Sequence, residues 1–161
     1  MKTLVLYYSR SGNTKAVAET IAATLKADIE DIVCGTDYSG ALGFMKGGRD
    51  AMTGESAPIQ PLTHNPSNYD LVVLCQPVWA FAPVPPVNTL TATGVFNGRK
   101  VALAATYVGS GAERCLDKTA ARMPGAVVVA RASFLRIGQN REENLRKAAA
   151  WAEELQSTGN P

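Results

Sequence analysis

Short apolar segments alternate with helical patterns along the chain, and this alternation constrains the fold more than any other feature. Leu71–Cys75 is an unbroken apolar run, which is typical of a strand covered on both faces of a sheet. Four further segments have strand-like patterns: Lys2–Tyr8, Asp28–Val33, Lys100–Ala105 and Ala126–Ala132. Because strands that alternate with helices form parallel sheets with crossover helices, the sequence predicts an α/β fold.

Helical periodicity occupies the intervals between these strands. The predicted helices are Asn13–Lys26, Ala112–Met123 and Arg141–Gln156, with a helix tail at Thr89–Asn97 after Pro86. The least regular segment, Cys34–Asn68, contains six glycines and three prolines and has room for a short helix at Ala41–Met52. With right-handed crossovers, this order of elements fits a doubly wound sheet with helices on both faces.

The length and the charge balance limit the classes of protein to which the chain can belong. Its 161 residues suit one domain, and we expect that domain at residues 1–156, followed by a frayed tail at 157–161. With 16 basic and 14 acidic side chains the formal net charge is +2, which gives no reason to expect nucleic acid or a membrane as a partner. The first apolar run is too short for a signal peptide or a spanning helix, so we expect a cytoplasmic protein.

The cysteines and the single histidine do not form a recognisable catalytic or metal-binding pattern. Cys34, Cys75 and Cys115 are far apart in the chain, which argues against a disulfide framework or a zinc site and favours buried structural thiols. His64 lies between Pro61 and Pro66, where a solvated loop histidine is expected. The sequence therefore predicts no catalytic triad and no metal ligand.

A loop rich in hydroxyl and amide groups, from Ser9 to Thr14, joins the first predicted strand to the first predicted helix. A helix N-terminus offers free backbone N–H groups and the positive end of the helix dipole, so a phosphate group fits there. A simple helix cap is the alternative, but a cap needs one such residue and this loop has five. Arg10 adds a full charge or points into solvent. The loop matches neither the Walker pattern nor GxGxxG, and we favour phosphate binding.

Two further loops follow the third and fourth predicted strands and therefore lie at the same sheet edge. In QPVWAFAPVPP, Trp79 and Phe81 stand among prolines that stiffen the loop. An indole at the exposed rim of a sheet favours a flat aromatic ligand that stacks on it, although these aromatics could instead belong to the core. In TYVGSG, Tyr107 offers a second flat face and Gly109 allows close approach of the backbone, although a simple helix start is the better explanation of this loop taken alone.

The chain resembles the flavodoxin-like family over nearly its whole length. The resemblance is carried by YYSRSGNTKAVAETIA, which matches the family's phosphate loop S/T-x-S/T-G-N-T, together with QPVWAFAPVPP and TYVGSG. It implies a short-chain, doubly wound, five-stranded parallel sheet in the order 2-1-3-4-5, with FMN as the cofactor and no catalytic or metal-binding side chain. The cofactor-binding residues that it implies are Ser9, Arg10, Ser11, Gly12, Asn13, Thr14, Pro77, Val78, Trp79, Ala80, Phe81, Tyr107, Gly109, Ser110 and Gly111.

This resemblance leaves three functions open. In the first, the protein transfers electrons through bound FMN to a redox partner protein. In the second, it is an NAD(P)H-dependent FMN reductase that acts on a quinone-like acceptor. In the third, the fold is a binding module without flavin. In the first two, the chemistry belongs to the flavin rather than to a side chain.

Two features of this sequence differ from those of typical flavodoxin electron carriers, which are acidic. Neither flavin loop contains a carboxylate, and the first acid after them is Glu113; because nearby carboxylates disfavour an anionic reduced flavin, we predict a less negative reduction potential than an acidic carrier has. The segment DYSGALGFMKGGRDAMTG is longer than a simple connection. Its residues Phe44, Met45, Lys46 and Arg49 cover the flavin edge or meet a second subunit in a homodimer; alternatively, the segment is a short amphipathic helix with a loose surface loop.

Overall fold

The computed structural model describes residues 1–158, and a parallel sheet of five strands forms its centre. The strands are β1 (Thr3–Tyr7), β2 (Asp28–Asp31), β3 (Leu71–Pro77), β4 (Lys100–Tyr107) and β5 (Val127–Leu135). They lie in the order β2-β1-β3-β4-β5, and every neighbouring pair is parallel. The predicted doubly wound α/β sheet and its strand order are therefore confirmed.

Within residues 1–158, four α-helices connect these strands and a fifth follows β5: α1 (Asn13–Leu25), α2 (Gly40–Thr53), α3 (Pro85–Ala92), α4 (Ala112–Ala121) and α5 (Arg141–Thr158). The helix tail predicted at Thr89–Asn97 is wrong beyond Ala92, because the chain turns there and Gly94 has a φ of 73°. Helix α5 continues two residues past Gln156, into the segment expected to fray. The rest of that expected tail, 159–161, lies outside the described residues.

Alternating side chains of the strands divide the core into two layers. On one face, Val5 and Val73 pack with Ile21 of α1 and Ala148 of α5. On the other face, strand residues such as Leu74 pack with side chains of α2, α3 and α4. Each fully buried aliphatic side chain stabilises the fold by about 1.5–3 kcal/mol, so the two layers fix which helices cover which face.

Strand register brings four loops to one edge of the sheet. Tyr7 of β1 pairs with Cys75 of β3, and Pro77 of β3 pairs with Thr106 of β4. At the far side of β4, Tyr107 pairs with Leu135 of β5. The carboxyl ends of β1, β3, β4 and β5 consequently meet at the same edge, where ligands bind in open α/β sheets.

The three cysteines are free thiols, with Cys75 and Cys115 buried and Cys34 partly buried. Within residues 1–158 no trio of His, Cys, Asp or Glu side chains is grouped as a metal would require. The same part of the chain has no helix with the length and apolarity to cross a bilayer.

His64 differs from the solvated histidine that its position suggested. Its Nδ1 atom lies 2.7 Å from Oε2 of Glu30, which also accepts the backbone N–H of His64, while Oε1 of Glu30 accepts the backbone N–H of Thr63. Burial by itself would raise the pKa of Glu30, but these hydrogen bonds outweigh it and lower that pKa. Glu30 thus holds His64 against β2, the edge strand of the sheet.

Candidate cofactor site

A cavity of about 680 Å³ opens at the carboxyl edge of the sheet, within the size range of small-molecule sites. Its walls come from the loops after β1, β3, β4 and β5 and from one side of α2. All the residues proposed from sequence line it except Ser9, Gly12 and Gly111. The structure therefore brings the three predicted loops to one cavity. The three exceptions belong to the first and third loops but do not line the cavity.

The first loop presents the start of α1 to the cavity without a side-chain cap. Gly12 occupies the N-cap position with a φ of 91°, and no side chain of the described residues caps this helix. The hydroxyl oxygen of Ser9 accepts the Gly12 N–H at 3.1 Å, while the buried hydroxyl of Thr14 lies 2.7 Å from that of Thr106. The capping alternative is therefore wrong: Ser9 and Thr14 hold the loop in shape, and the first helical turn faces the cavity at Asn13 and Thr14.

The second loop contains a tight turn with an unusual backbone. The N–H of Ala82 donates to the carbonyl of Trp79 at 3.0 Å, and Ala80 and Phe81, the two central residues, have φ values of 49° and 61°. Positive φ at both central positions defines a type I′ turn, which normally selects Asn and Gly. Each non-glycine residue held there costs roughly 1–2 kcal/mol. The turn places the half-exposed ring of Phe81 in the cavity wall.

Trp79 does not stand at an exposed rim as the sequence suggested. It is 7% exposed and packs edge-on against Tyr8 and Tyr38, with ring centroids 5.7 and 5.3 Å away. A Cβ atom on Gly47 would lie 2.8 Å from the indole ring, so only glycine lets α2 approach this closely. The burial of Tyr8 raises the pKa of its hydroxyl to about 12. Trp79 thus forms the back wall of the cavity, whereas Phe81 and Phe44 contribute exposed rings to its lining.

The third loop contacts the second through Gly111. A Cβ atom at this position would overlap the ring of Phe81, and Gly111 also has a φ of 93°. Tyr107, Gly109 and Ser110 line the cavity on this side. The backbone at the start of α4 therefore supports Phe81, and a larger residue in place of Gly111 would displace it.

A fourth loop, after β5, was missed by sequence reasoning. Arg136 lines the cavity with a φ of 53°. Its backbone N–H donates to the carbonyl of Tyr107 at 2.8 Å, and its Nε donates to the carbonyl of Val108 at 3.0 Å. Arg136 therefore fastens the third loop to the fourth. The one available signal was its position four residues after the predicted fifth strand, Ala126–Ala132, whose carboxyl end belongs to the same edge.

The other lining residues outside the predicted set are Phe44, Gly48, Thr106, Val108, Ile137, Gly138 and Gln139. Phe44 had been considered as a cover for the flavin edge, and Thr106 and Val108 belong to the third loop. Gly48 and the residues after Arg136 had no signal of their own, because their place depends on how α2 and α5 pack.

Arg10 does not point away from the protein. Its guanidinium carbon lies 4.6 Å from the ring centroid of Trp79 and 4.9 Å from that of Phe44, distances at which a cation is attracted to an aromatic ring. The side chain thereby joins the first loop to the back wall and to α2. Among the described lining residues there is no Asp or Glu, and Arg10 and Arg136 are the cations.

Comparison with known proteins agrees with this architecture. The family model described as Flavodoxin matches residues 2–155. No curated protein sequence matches the chain. The flavoprotein from Lactobacillus acidophilus NCFM in complex with FMN is similar in structure, with 24% sequence identity and a TM-score of 0.69 over 89% of this chain and 97% of that one.

Two other solved structures are also similar. The apo-form of the flavoprotein from Lactobacillus acidophilus NCFM is 27% identical, with a TM-score of 0.64 over 86% of this chain and 95% of that one. Oxidised flavodoxin 2 from Bacillus cereus is 16% identical, with a TM-score of 0.64 over 98% and 99%. With a family model that matches nearly its whole length, the chain belongs to the flavodoxin family.

Proposed function

We propose that this protein binds FMN in the cavity at the carboxyl edge and transfers electrons through it. The observation that carries the proposal is the pairing, in one cavity, of an uncapped helix N-terminus with aromatic walls. An anion is favoured at the first feature and a flat ring at the second. FMN contains both groups, and membership in the flavodoxin family supports the same cofactor.

The residues divide into a phosphate end and a ring end. Ser11, Asn13 and the first turn of α1 would hold the phosphate through hydroxyl, amide and backbone N–H donors. Phe81 and Tyr107 would border the flavin ring system, which supplies the redox chemistry when bound. The side chains themselves bind and orient the cofactor and exclude water, so no side chain is assigned a catalytic role.

The test of FMN binding compares FMN with riboflavin, which lacks the phosphate. Ser11→Asp places a negative charge in the first loop and should weaken FMN binding about tenfold or more, with little effect on riboflavin. Ser133→Asp, at an exposed position on β5 away from the cavity lining, is the matched control. Fluorescence titration gives both affinities. Equal losses for both ligands would show that the phosphate is not held by this loop.

The charge of the lining also leads to a redox expectation. A negative charge that develops in the cavity on reduction would face Arg10 and Arg136 rather than a carboxylate, and a nearby cation favours the anionic form of a group. We therefore expect a less negative two-electron reduction potential than that of an acidic flavodoxin. Potentiometric titration of the FMN-loaded protein measures it, and Arg136→Gln should make the potential more negative. A very negative potential in the native protein would contradict this electrostatic argument.

An NAD(P)H-dependent quinone reductase is the second candidate, and the two arginines at the open cavity favour it because they suit a second anionic ligand. Steady-state oxidation of NADH or NADPH by the FMN-loaded protein, with a soluble quinone as acceptor, separates the two functions. Turnover would support the reductase, and its absence would support the electron carrier. A purified protein that is colourless and does not quench added FMN would instead support a flavin-free module.

A further inference from the structure

Large apolar side chains surround the opening of the cavity and continue along the outer side of α2. Phe44 and Phe81 line the cavity and are 64% and 47% exposed, and Val108, also in the lining, is exposed as well. Leu42 and Met45 are 83% and 70% exposed on α2, one helical turn apart. Exposed apolar side chains grouped in this way mark an interaction surface. We call these five residues the apolar rim.

The charges around the apolar rim are mostly of one sign. Arg10 and Arg136 line the opening, and Lys46 is exposed on α2 one helical turn after Leu42. The single acid of α2 is Asp50, which is buried and bonded to the hydroxyl of Tyr38 and the guanidinium of Arg49. Its charge is therefore directed to the protein's own groups rather than to solvent.

The nearest acids along the chain lie outside the rim. Asp37 precedes α2, where it accepts the backbone N–H of Ser39, and Glu113 is in the first turn of α4. Glu142 and Glu143, in the first turn of α5, pair with Arg146 and Lys147 of the same helix. None of these four acids lines the cavity. The apolar rim and the two lining arginines beside it thus combine aromatic, Met and Arg side chains with few carboxylates, the composition of the centre of a protein interface.

From these observations we infer that the apolar rim is the docking surface for an acidic electron-transfer protein. The inference rests on the proposed function, because a protein that exchanges electrons with a cofactor in this cavity must approach its opening. Complementary charge selects the partner: exposed carboxylates around an apolar centre would meet Arg10, Lys46 and Arg136. A second copy of this chain docked by two-fold symmetry would place one cationic surface against another, which disfavours that occupant.

Electron transfer to two haem proteins of opposite charge tests this inference. FMN-loaded protein is reduced with dithionite and mixed in a stopped-flow instrument with an acidic b-type cytochrome or a basic c-type cytochrome. The rate constant with the acidic cytochrome should fall about tenfold or more between about 20 mM and about 300 mM ionic strength, because salt screens an attraction. With the basic cytochrome it should stay level or rise.

A pair of charge-reversal variants locates the effect. Lys46→Glu is outside the cavity lining and should leave FMN affinity unchanged, while it lowers the rate with the acidic cytochrome about threefold or more at low salt. Lys100→Glu makes the same change of charge at the amino end of β4, the opposite edge of the sheet, and should have little effect. Met45→Gln should lower the rate at every salt concentration, because it removes an apolar contact rather than a charge.

Each other outcome contradicts the inference in its own way. A faster, salt-sensitive reaction with the basic cytochrome, or equal effects of Lys46→Glu and Lys100→Glu, would overturn the acidic partner while FMN binding stands. Light scattering that shows a dimer of the FMN-loaded protein, dissociated by Met45→Gln, would overturn the choice of occupant. Failure to bind FMN would overturn the proposed function, and the docking inference with it.

Discussion

Two pairs of loops build the candidate site, and they differ in the residues that they place at left-handed backbone positions. The first and third loops use glycine, at Gly12 and Gly111, with φ values of 91° and 93°. The second and fourth loops use Ala80, Phe81 and Arg136, all with positive φ. Glycine adopts this conformation without steric strain, whereas other residues do not.

This difference follows what each loop brings to the cavity. At its left-handed position, a glycine loop presents backbone, either the start of α1 or the surface on which Phe81 packs. A strained loop presents a side chain: the ring of Phe81 or the guanidinium of Arg136, which also holds the Val108 carbonyl. Backbone strain of this kind persists where surrounding contacts over-determine the conformation, and it clusters at functional sites. The comparison therefore predicts opposite effects of substitution in the two pairs of loops.

Gly111→Ala should have the largest effect. The added Cβ overlaps the ring of Phe81 and must also adopt a φ of 93°, so we expect a loss of about 2–4 kcal/mol in the free energy of unfolding together with weaker FMN binding. Gly109→Ala is the control, because its Cβ would meet nothing within 4 Å and its φ is not positive. Denaturant unfolding measures both variants. Similar losses in the two would show that Gly111 has no special role.

The sequence predicted the scaffold well because its signals are local. Unbroken apolar runs identified buried strands such as β3, and helical periodicity identified α1 and α5 to within two residues of their ends. The short helix suggested at Ala41–Met52 is also present, as α2. Patterns of this kind follow from the periods of helices and strands, which do not depend on distant residues.

The missed features depend on contacts between distant parts of the chain. Trp79 is buried because Gly47, 32 positions earlier in the sequence, lets α2 pack against it. Arg136 joins the cavity because the register of β4 and β5 places it beside Val108. The turn at Ala80 and Phe81 has no signal, since neither residue type favours positive φ. None of these features follows from a local pattern.

Alkaline pH should weaken the packing that holds the second loop. Burial raises the pKa of Tyr8 to about 12 from an ordinary value of 10.0. A group with a raised pKa adds stability that is complete below its unfolded pKa and is lost as pH rises through its folded pKa. Tyr8 should therefore contribute on the order of 2 kcal/mol below pH 10, lost between about pH 10 and pH 12.

Unfolding of the native protein and of Tyr8→Phe across this pH range isolates the tyrosine. The variant should show a shallower alkaline loss, although Cys75 and Cys115, whose pKa values burial also raises to about 12, continue to contribute in both proteins. If the unfolding free energies of the two proteins fell in parallel as the pH rises, ionisation of Tyr8 would not be a cause of the alkaline loss of stability.

Gly12→Ala should have a smaller effect than Gly111→Ala. The space around Gly12 is open, with no atom within 4 Å of the added Cβ, so the backbone conformation alone resists the change. We expect a loss of about 1–2 kcal/mol in unfolding free energy. Gly138→Ala, also in open space but without positive φ, is the control. A Gly12→Ala variant with unchanged unfolding free energy would contradict this prediction, because it would show that the backbone at position 12 does not require glycine.

Ala80→Gly should have the smallest effect and the opposite sign. Relief of a left-handed φ gains about 1–2 kcal/mol, and the greater chain entropy of glycine in the unfolded state removes about 0.5–1 of it, so a net gain of about 0–1.5 kcal/mol is expected. Ala82→Gly, at the buried end of the same turn where φ is not positive, should destabilise. Thermal unfolding of both, with and without FMN, tests the sign. A gain in unfolding free energy together with weaker FMN binding would show that the strain aims Phe81, whereas a loss in both variants would mean that the turn is not strained.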